Sequence, residues 1–244
     1  ETPVPLLDPG RGKTKKAYVW AYARSTLDGG PPGVIYDFCA GRGAQYAQAL
    51  LAGKGPPYAE PPWQGTLVCD QYYAGYGPVL DPKVQPGRQA AGCAAHARRK
   101  FEELTTRGAS ASPVAQEALQ RWARIYHVER LLADATAQER HAGRQSMSRP
   151  LWEELRAWLQ LERQRVAGGA IGQAIDYSLN HWQALTRHLQ DGAVPIDNNH
   201  LEQQIKPWKL GANYANCALM RTRWQRPAGA LLGEGSGQQR CHFA

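Results

Sequence analysis

The feature that most restricts the fold is a change in hydrophobic periodicity along the chain. After Cys93, apolar residues recur every three or four positions, a spacing that places them on one face of a helix. The clearest series is Val114, Ala118, Trp122, Ile125, Val128 and Leu132, and similar series follow to about residue 190. About a hundred residues of helical pattern therefore separate a strand-rich beginning from the short segment Pro195–Pro207.

The first third of the chain has the composition of strands and turns. Two prolines interrupt the apolar run Glu1–Leu7, which is typical of an edge strand. Residues 17–38 predict a hairpin, residues 44–51 a short helix, residues 66–69 a buried strand and residues 88–93 one further strand. With 244 residues and no internal repeat, the chain fits one large α/β domain or one α/β domain with a sizeable insertion.

The charge and the cysteine content restrict the partners and the compartment. Lys and Arg number 29 against 21 Asp and Glu, and the net charge of +8 favours a polyanionic partner. The five cysteines include no C-x-x-C pair, which argues against a disulfide scaffold or a four-cysteine zinc site and fits a reducing compartment. No apolar run approaches the roughly 18 residues of a membrane helix. No secretory leader is visible either, so we expect a cytoplasmic protein without membrane contact.

Asp70 is the first candidate for a functional residue. It directly follows the apolar run Thr66–Cys69, and open α/β sheets commonly place active-site groups at the carboxyl end of a buried strand. The residues after it, Gln71–Tyr76, are expected to form a small, aromatic turn. A purely structural alternative is that Asp70 caps the helix that follows.

Glu202 is the second candidate, in the short segment before Pro207. Asn198 and Asn199 precede it by four and three positions, so all three side chains can face one side of a helix. Two amides and a carboxylate on one face could hold a metal ion or a phosphate. The alternative is ordinary capping by Asp197 or Asn198 of a short solvated helix that ends at Pro207.

The two carboxylates together indicate more than either does alone. Magnesium prefers carboxylate oxygens with positions left open for a phosphate, and two-metal phosphoryl-transfer sites take carboxylates from several elements. Asp70 and Glu202 are 132 positions apart, so such a site requires the helices between them to form an insertion. A distant alternative is a glycosidase with the same pair as acid and base, for which the sequence has no sugar-binding signature.

Several motifs, in order along the chain, resemble the central domain of bacterial insertion sequence 66 family transposases. They are Glu1–Val4 with Asp8–Thr14, the Asp-x-x-x-x-Gly-Tyr run at Asp70–Tyr76, Gly92–Phe101, Arg149–Leu151, and Pro195–Asn199 with Glu202 and Ile205. The resemblance implies a ribonuclease-H-like mixed sheet with a large all-helical insertion. It also implies a DDE triad of acidic residues and DNA cleavage and joining that depend on magnesium or manganese.

The resemblance assigns roles to particular residues and segments. Asp70 matches the second Asp and Glu202 the Glu, both as catalytic residues and metal ligands, with Asp197, Asn198 and Asn199 on the supporting helix. The implied division places the core strands and helices in residues 1–107 and the helical insertion in residues 108–192. Residues 193–210 then carry Glu202 back to the core, and residues 211–244 form a divergent tail.

The departures from the family pattern predict a limited activity. The first catalytic Asp of the family immediately precedes the run that begins here with Glu1, so we expect a fragment that is inactive alone and binds magnesium weakly. The likeness ends near Gly211, which a frameshift would explain, and the tail Ala212–Ala244 is expected to be loosely packed. The competing hypothesis is a non-enzymatic remnant that binds DNA, associates with itself or regulates a full-length transposase.

A basic triplet and a Cys-His pair remain as secondary candidates. Arg98, Arg99 and Lys100 are candidates for contacts to DNA phosphates, although a solvated helix face explains them equally well. Cys93 and His96 have the spacing of a zinc ligand pair, but no second pair follows. We therefore favour a structural or supporting role for these two residues.

Two further features lie near predicted strand ends. The Gly41-Arg42-Gly43 run lacks the lysine and the spacing of a phosphate-binding loop, so a plain turn is favoured. Asp37 could act as a substitute carboxylate, but a metal pair tolerates little misplacement of its ligands.

Overall fold

The computed structural model describes residues 1–8, 12–52, 63–70, 73–83, 85–106 and 112–211. These residues form a mixed α/β structure with mostly helical content and a small number of strands. The α/β prediction is confirmed at this level. The expectation of a loosely packed tail over Ala212–Ala244 lies outside the described residues.

Three antiparallel strands form the first sheet, in the order β1-β2-β3. Strand β1 (Thr2–Asp8) pairs with β2 (Lys13–Arg24), which pairs with β3 (Gly33–Cys39). The predicted edge strand and hairpin are therefore confirmed. Strand β2 begins four residues before the predicted Ala17, because its lysine-rich start pairs with the second half of β1.

Two parallel strands, β4 (Gly65–Cys69) and β5 (Arg88–Gly92), form the second group. Helix α1 (Ala44–Leu51) precedes them, as predicted, and α2 (Tyr73–Leu80) lies between them. The prediction of an aromatic turn after Asp70 is wrong, because the chain enters α2 at Tyr73. Tertiary packing favours the helix: Val79 and Tyr76 join Trp20 and Leu67 in a core that the two strand groups share.

Helices dominate the remainder of the described chain. They are α3 (Ala94–Thr106), α4 (Pro113–Leu131), α5 (Ala137–Gly143), α6 (Arg149–Arg165), α7 (Gly169–Asn180), α8 (Trp182–Leu185) and α9 (Asn199–Gly211). One turn of π-helix, Arg144–Ser148, joins α5 to α6, and a 3-10 turn, Arg187–Gln190, follows α8. Trp122, Trp152, Leu155 and Ile175 are among the buried residues of a common helical core, as the periodicity predicts, and Phe101 of α3 joins them.

Two buried arginines hold the segment that leads into α9. Arg144 is fully buried, forms an ion pair of 2.7 Å with Glu129 and donates hydrogen bonds to the carbonyls of His188, Asp191 and Val194. Arg140 is also buried and donates to several carbonyls, including that of Gly192. Guanidinium groups suit this task because they present five donors in a rigid plane.

Helix α9 continues through Pro207, so the prediction that this proline ends the helix is wrong. Proline removes one backbone donor from the helix, and packing beyond it offsets that loss. The Trp208 ring lies 5.3 Å from the Tyr36 ring, and the Tyr36 hydroxyl donates to the carbonyl of Gln204. These contacts fix α9 against the three-stranded sheet. None of the helices in the described ranges combines the length and the apolar character that crossing a membrane requires.

Candidate functional site

One cavity brings together the two carboxylates, Asp70 and Glu202, that the sequence indicates as catalytic candidates. It has a volume of about 310 Å³ and lies where the start of β1, the end of β4, α3 and α9 meet. Its walls include Glu1, Thr2, Tyr22, Cys69, Asp70, Tyr76, His96, Asn198, Leu201, Glu202, Ile205 and Lys206. Asp70 and Glu202 therefore line the same cavity, although 132 positions separate them in the sequence.

Asp70 owes its position to the buried strand before it. The four residues before it in β4 are all buried, and Asp70 itself is half-buried at the cavity wall. The Tyr177 hydroxyl donates a long hydrogen bond of 3.5 Å to the main-chain carbonyl of Asp70. Burial raises the pKa of Tyr177 to about 12, with smaller contributions from Cys93, Asp70 and Cys69, so its hydroxyl stays protonated. The backbone at the end of β4 is thus connected to the helical region.

Glu202 lies in the first turn of α9, beside two basic side chains of α3. Its carboxylate is 3.5 Å from Nε2 of His96 and 3.5 Å from the guanidinium of Arg99. Its main-chain N–H donates to the carbonyl of Asn198, which begins the helix. The carboxylate is about one-third exposed, so its contacts with these two side chains are open to solvent screening.

The Asp-Asn-Asn sequence at the start of α9 has two structural roles. Asp197 accepts hydrogen bonds from the main-chain N–H and the side-chain amide of Asn199 and from the hydroxyl of Tyr126. Asn199 is exposed and does not line the cavity. Asn198 does line it, and its Oδ1 atom is buried without a hydrogen-bond partner among the described residues. The structure therefore brings Asn198, but not Asn199, to the cavity beside Glu202.

The basic triplet of α3 also divides by what each residue contacts. Arg98 forms an ion pair of 3.4 Å with Glu102, one turn along the same helix. Arg99 contacts Glu202, as described above. The ammonium of Lys100 lies 4.4 Å from the centre of the Tyr177 ring.

Glu1 and Arg42 were missed as site residues by the sequence analysis. Glu1 lines the cavity, and its carboxylate forms an ion pair of 2.6 Å with Arg42. The only available signal was that Glu1 follows the position that the family resemblance gives to a catalytic Asp. Asp37 is not among the cavity-lining residues, and its carboxylate instead accepts a hydrogen bond from the Cys39 thiol.

Cys93 and His96 do not form a ligand pair. The Cys93 thiol is buried, and burial is the main cause that raises its pKa to about 11. His96 contacts Glu202 instead. Within the residues that the structure describes, no cluster of three or more His, Cys, Asp or Glu side chains has the geometry to hold a metal ion.

The donor atoms at the cavity are nevertheless those that a hard divalent cation prefers. Asp70 and Glu202 contribute carboxylate oxygens, and the unpartnered Oδ1 of Asn198 is a buried amide oxygen at the same cavity. Magnesium binds oxygen ligands and usually keeps several waters, so one or two carboxylates and a carbonyl oxygen suit it. The chemical types of these side chains are therefore compatible with a bound magnesium ion.

A comparison with models of known protein families identifies one family. The sequence model of the Transposase IS66 family matches residues 1–224, so the similarity extends past Gly211, where it was expected to end. A protein from Sinorhizobium fredii (strain NBRC 101917 / NGR234), named uncharacterized protein y4jD, is 34% identical over 213 residues, which are 84% of this chain and 39% of that protein. No solved structure gives a significant match.

Two further relatives from the same strain give similar values. Uncharacterized protein y4qI is 35% identical over 215 residues, which are 85% of this chain and 38% of that protein. Uncharacterized protein y4hP is 33% identical over 227 residues, which are 86% of this chain and 39% of that protein. The chain therefore spans well under half the length of these relatives.

Proposed function

Because this chain belongs to the IS66 family of transposases, we propose that it is part of a catalytic domain that cleaves and joins DNA strands. Asp70 and Glu202 are the proposed catalytic carboxylates and metal ligands. The observation that carries the proposal is their position on one cavity although they are 132 positions apart in the sequence. The family implies a divalent metal, and we propose magnesium or manganese.

A ribonuclease-H-like core is the fold that we propose for this domain. Its support is the order of the elements: three antiparallel strands, a helix, then a strand that Asp70 directly follows. The helices from α4 to α8 lie between the core and α9, as expected for an insertion before the last carboxylate. The insertion would then act by fixing the approach of α9, through the arginines that hold the segment before it.

The residues that line the cavity would have different roles in this reaction. A bound divalent cation activates water or a 3′-hydroxyl and stabilises the leaving oxygen in this class of reaction. Asp70 and Glu202 would hold it, with the amide oxygen of Asn198 as a neutral ligand. His96 and Arg99 contact the Glu202 carboxylate and would compete with the cation for its oxygens.

DNA is the proposed partner, and the basic part of the protein is the proposed contact surface. The chain carries a net charge of +8, but residues 112–192 contain ten Arg and nine Asp or Glu. The helical insertion is thus nearly neutral, and several of its arginines are buried or paired. We propose α3 as the surface that contacts phosphates because its cations Arg99 and Lys100 are exposed beside Glu202 and Tyr177. Such a substrate would place the protein in the bacterial cytoplasm.

A non-enzymatic DNA-binding or regulatory role is the second candidate. The observation that favours it is the contact of Glu202 with both His96 and Arg99, which competes with a metal for the carboxylate. Such a protein would bind DNA, a second copy of itself or a longer transposase without cleaving a strand.

Nicking of supercoiled DNA distinguishes the two roles. The purified chain is incubated with plasmid and either Mg²⁺ or Mn²⁺, alongside Asp70→Asn, Glu202→Gln and the control Asp134→Asn, which changes an exposed carboxylate on the insertion. An enzyme gives nicked product that only the first two variants lose. Binding of plasmid without nicking, equal in all four proteins, would support the regulatory role and overturn the proposed catalysis.

A further inference from the structure

We propose that Lys100 and Tyr177 form a phosphate-binding subsite beside Asp70, in which Lys100 binds a DNA phosphodiester and Tyr177 positions it. The subsite joins α3 of the core to α7 of the helical insertion. This inference rests on the proposed action on DNA and specifies which cation of α3 contacts the strand.

Lys100 differs from its two neighbours in the charge that it keeps. Arg98 is paired with Glu102, and Arg99 with Glu202. None of the ion pairs among the described residues includes Lys100, and the side chain is exposed. Its ammonium lies over the face of the Tyr177 ring, 4.4 Å from the centre. A ring attracts the ammonium without cancelling its positive charge, so Lys100 keeps a full charge for an anion.

Tyr177 ties this charge to the catalytic cavity. The ring that carries Lys100 ends in the hydroxyl that donates to the main-chain carbonyl of Asp70. The Tyr177 side chain therefore connects Lys100 to the main chain of Asp70 at the end of β4. A phosphate bound by Lys100 would therefore lie on DNA that passes close to the end of β4.

His181 packs against Tyr177 on the side of the helical insertion. Its ring lies 4.8 Å from that of Tyr177, at the residue that directly follows α7. Burial, and then the charge of Lys100, lower the pKa of His181, which leaves the imidazole neutral near pH 7. The neutral ring adds an aromatic wall without a second cation to repel Lys100.

The experiment measures the affinity of the chain for a short fluorescent duplex by anisotropy at several salt concentrations. Lys100→Ala is expected to weaken binding about threefold to tenfold at low salt and to reduce the slope of log K against log salt by about 0.9, the value for one phosphate contact. Arg98→Ala is the matched control on the same helix and should change both values little. Lys100→Arg should restore the slope.

Two tyrosine variants test the positioning role. Tyr177→Phe keeps the ring and should keep the affinity within about twofold, whereas Tyr177→Leu should weaken binding as Lys100→Ala does. The double variant Lys100→Ala/Tyr177→Leu should bind no more weakly than Lys100→Ala alone, because the two residues act as one unit. Thermal unfolding of each variant confirms that it is folded.

The outcomes separate this inference from the proposed function. If the unaltered chain binds DNA but Lys100→Ala and Arg98→Ala lose affinity equally, the subsite is wrong and DNA binding stands. If Tyr177→Leu is folded and binds normally, the positioning role is wrong. If the unaltered chain does not bind the duplex at low salt, both the subsite and the proposed action on DNA fail.

Discussion

The hydroxyl of Tyr126 donates a hydrogen bond of 2.9 Å to Oδ2 of Asp197. Tyr126 belongs to α4, in the helical insertion, and Asp197 lies two residues before α9. Burial and the nearby charge of Asp197 raise the pKa of Tyr126 far above its ordinary value, so the phenol remains a donor at any physiological pH. One contact thus ties the insertion to the start of the helix that carries Glu202.

Loss of this hydroxyl should destabilise the protein measurably. Tyr126→Phe is expected to lower the free energy of unfolding by roughly 1.5–3 kcal/mol, the range for a hydrogen bond to a charged group. Tyr36→Phe is the matched control, because its hydroxyl donates to the neutral carbonyl of Gln204, and it should cost about 0.5–1.5 kcal/mol. Urea unfolding of both variants measures the difference. Equal losses would contradict a charged acceptor at Asp197.

Removal of the Arg144 guanidinium should have a larger effect. Arg144→Met leaves Glu129 and three main-chain carbonyls without their donor in a buried region, and breaking a buried pair costs about 3–5 kcal/mol. Arg124→Met is the control, since its pair with Glu154 is more than half exposed and should contribute at most about 1 kcal/mol. Similar melting temperatures for the two variants would show that Arg144 does not hold the segment before α9.

The elements that the sequence predicted well are those whose pattern reflects burial. The helical spacing of Trp122 and Ile125, and the apolar run before Asp70, follow directly from which side chains avoid water. The match of ordered motifs then paired Asp70 with Glu202. No periodicity could have shown that these two residues share a cavity.

Other features depend on contacts between distant segments. An arginine such as Arg144 is normally found on the solvent-exposed face of a helix. Its burial is explained by the main-chain carbonyls of distant residues that accept its hydrogen bonds. Pro207 and the residues after Asp70 are turn formers by local preference, but Trp208 and Val79 pack well enough to keep both segments helical. Local propensity is a weak guide where tertiary packing opposes it.

The buried His188 should make the free energy of unfolding decrease in mild acid. Burial, and then the charge of Arg144, lower its pKa from an ordinary value near 6.5 to about 3. The folded state therefore prefers the neutral imidazole, and the stability it contributes is complete above pH 6.5 and declines as the pH falls toward 3. The expected slope is up to about 1.4 kcal/mol per pH unit below 6.5.

Two variants isolate this contribution. His188→Asn can retain a donor for the carbonyl of Leu185, the partner of the imidazole Nδ1, and should lose part of the pH dependence. His127→Asn changes an exposed histidine on α4 and should leave the pH dependence of stability unchanged. The free energy of unfolding in urea at pH 7, 6 and 5 is the measurement. Parallel pH profiles for the native chain and His188→Asn would show that another group controls acid stability.

Magnesium binding should be weak and limited by the partners of Glu202. Asp70, Glu202 and the Asn198 oxygen supply at most a few of the six oxygens that magnesium prefers, so we expect affinity at millimolar levels or poorer. Arg99→Ala removes a cation that competes for the Glu202 carboxylate and should tighten binding, whereas Arg98→Ala, whose partner is Glu102, should not.

Isothermal titration of the two variants with MgCl₂ and MnCl₂ tests this order, with Glu202→Gln as the variant that abolishes binding. If Arg99→Ala binds the ion no better than Arg98→Ala, the ion does not contact Glu202. Micromolar affinity in the unaltered chain would require a further carboxylate. Glu1 is then the residue to change, because it lines the cavity and Asp37 does not, and its ion pair with Arg42 would have to open to release the ligand. Arg42→Ala should in that case tighten binding, and Glu1→Gln should weaken it.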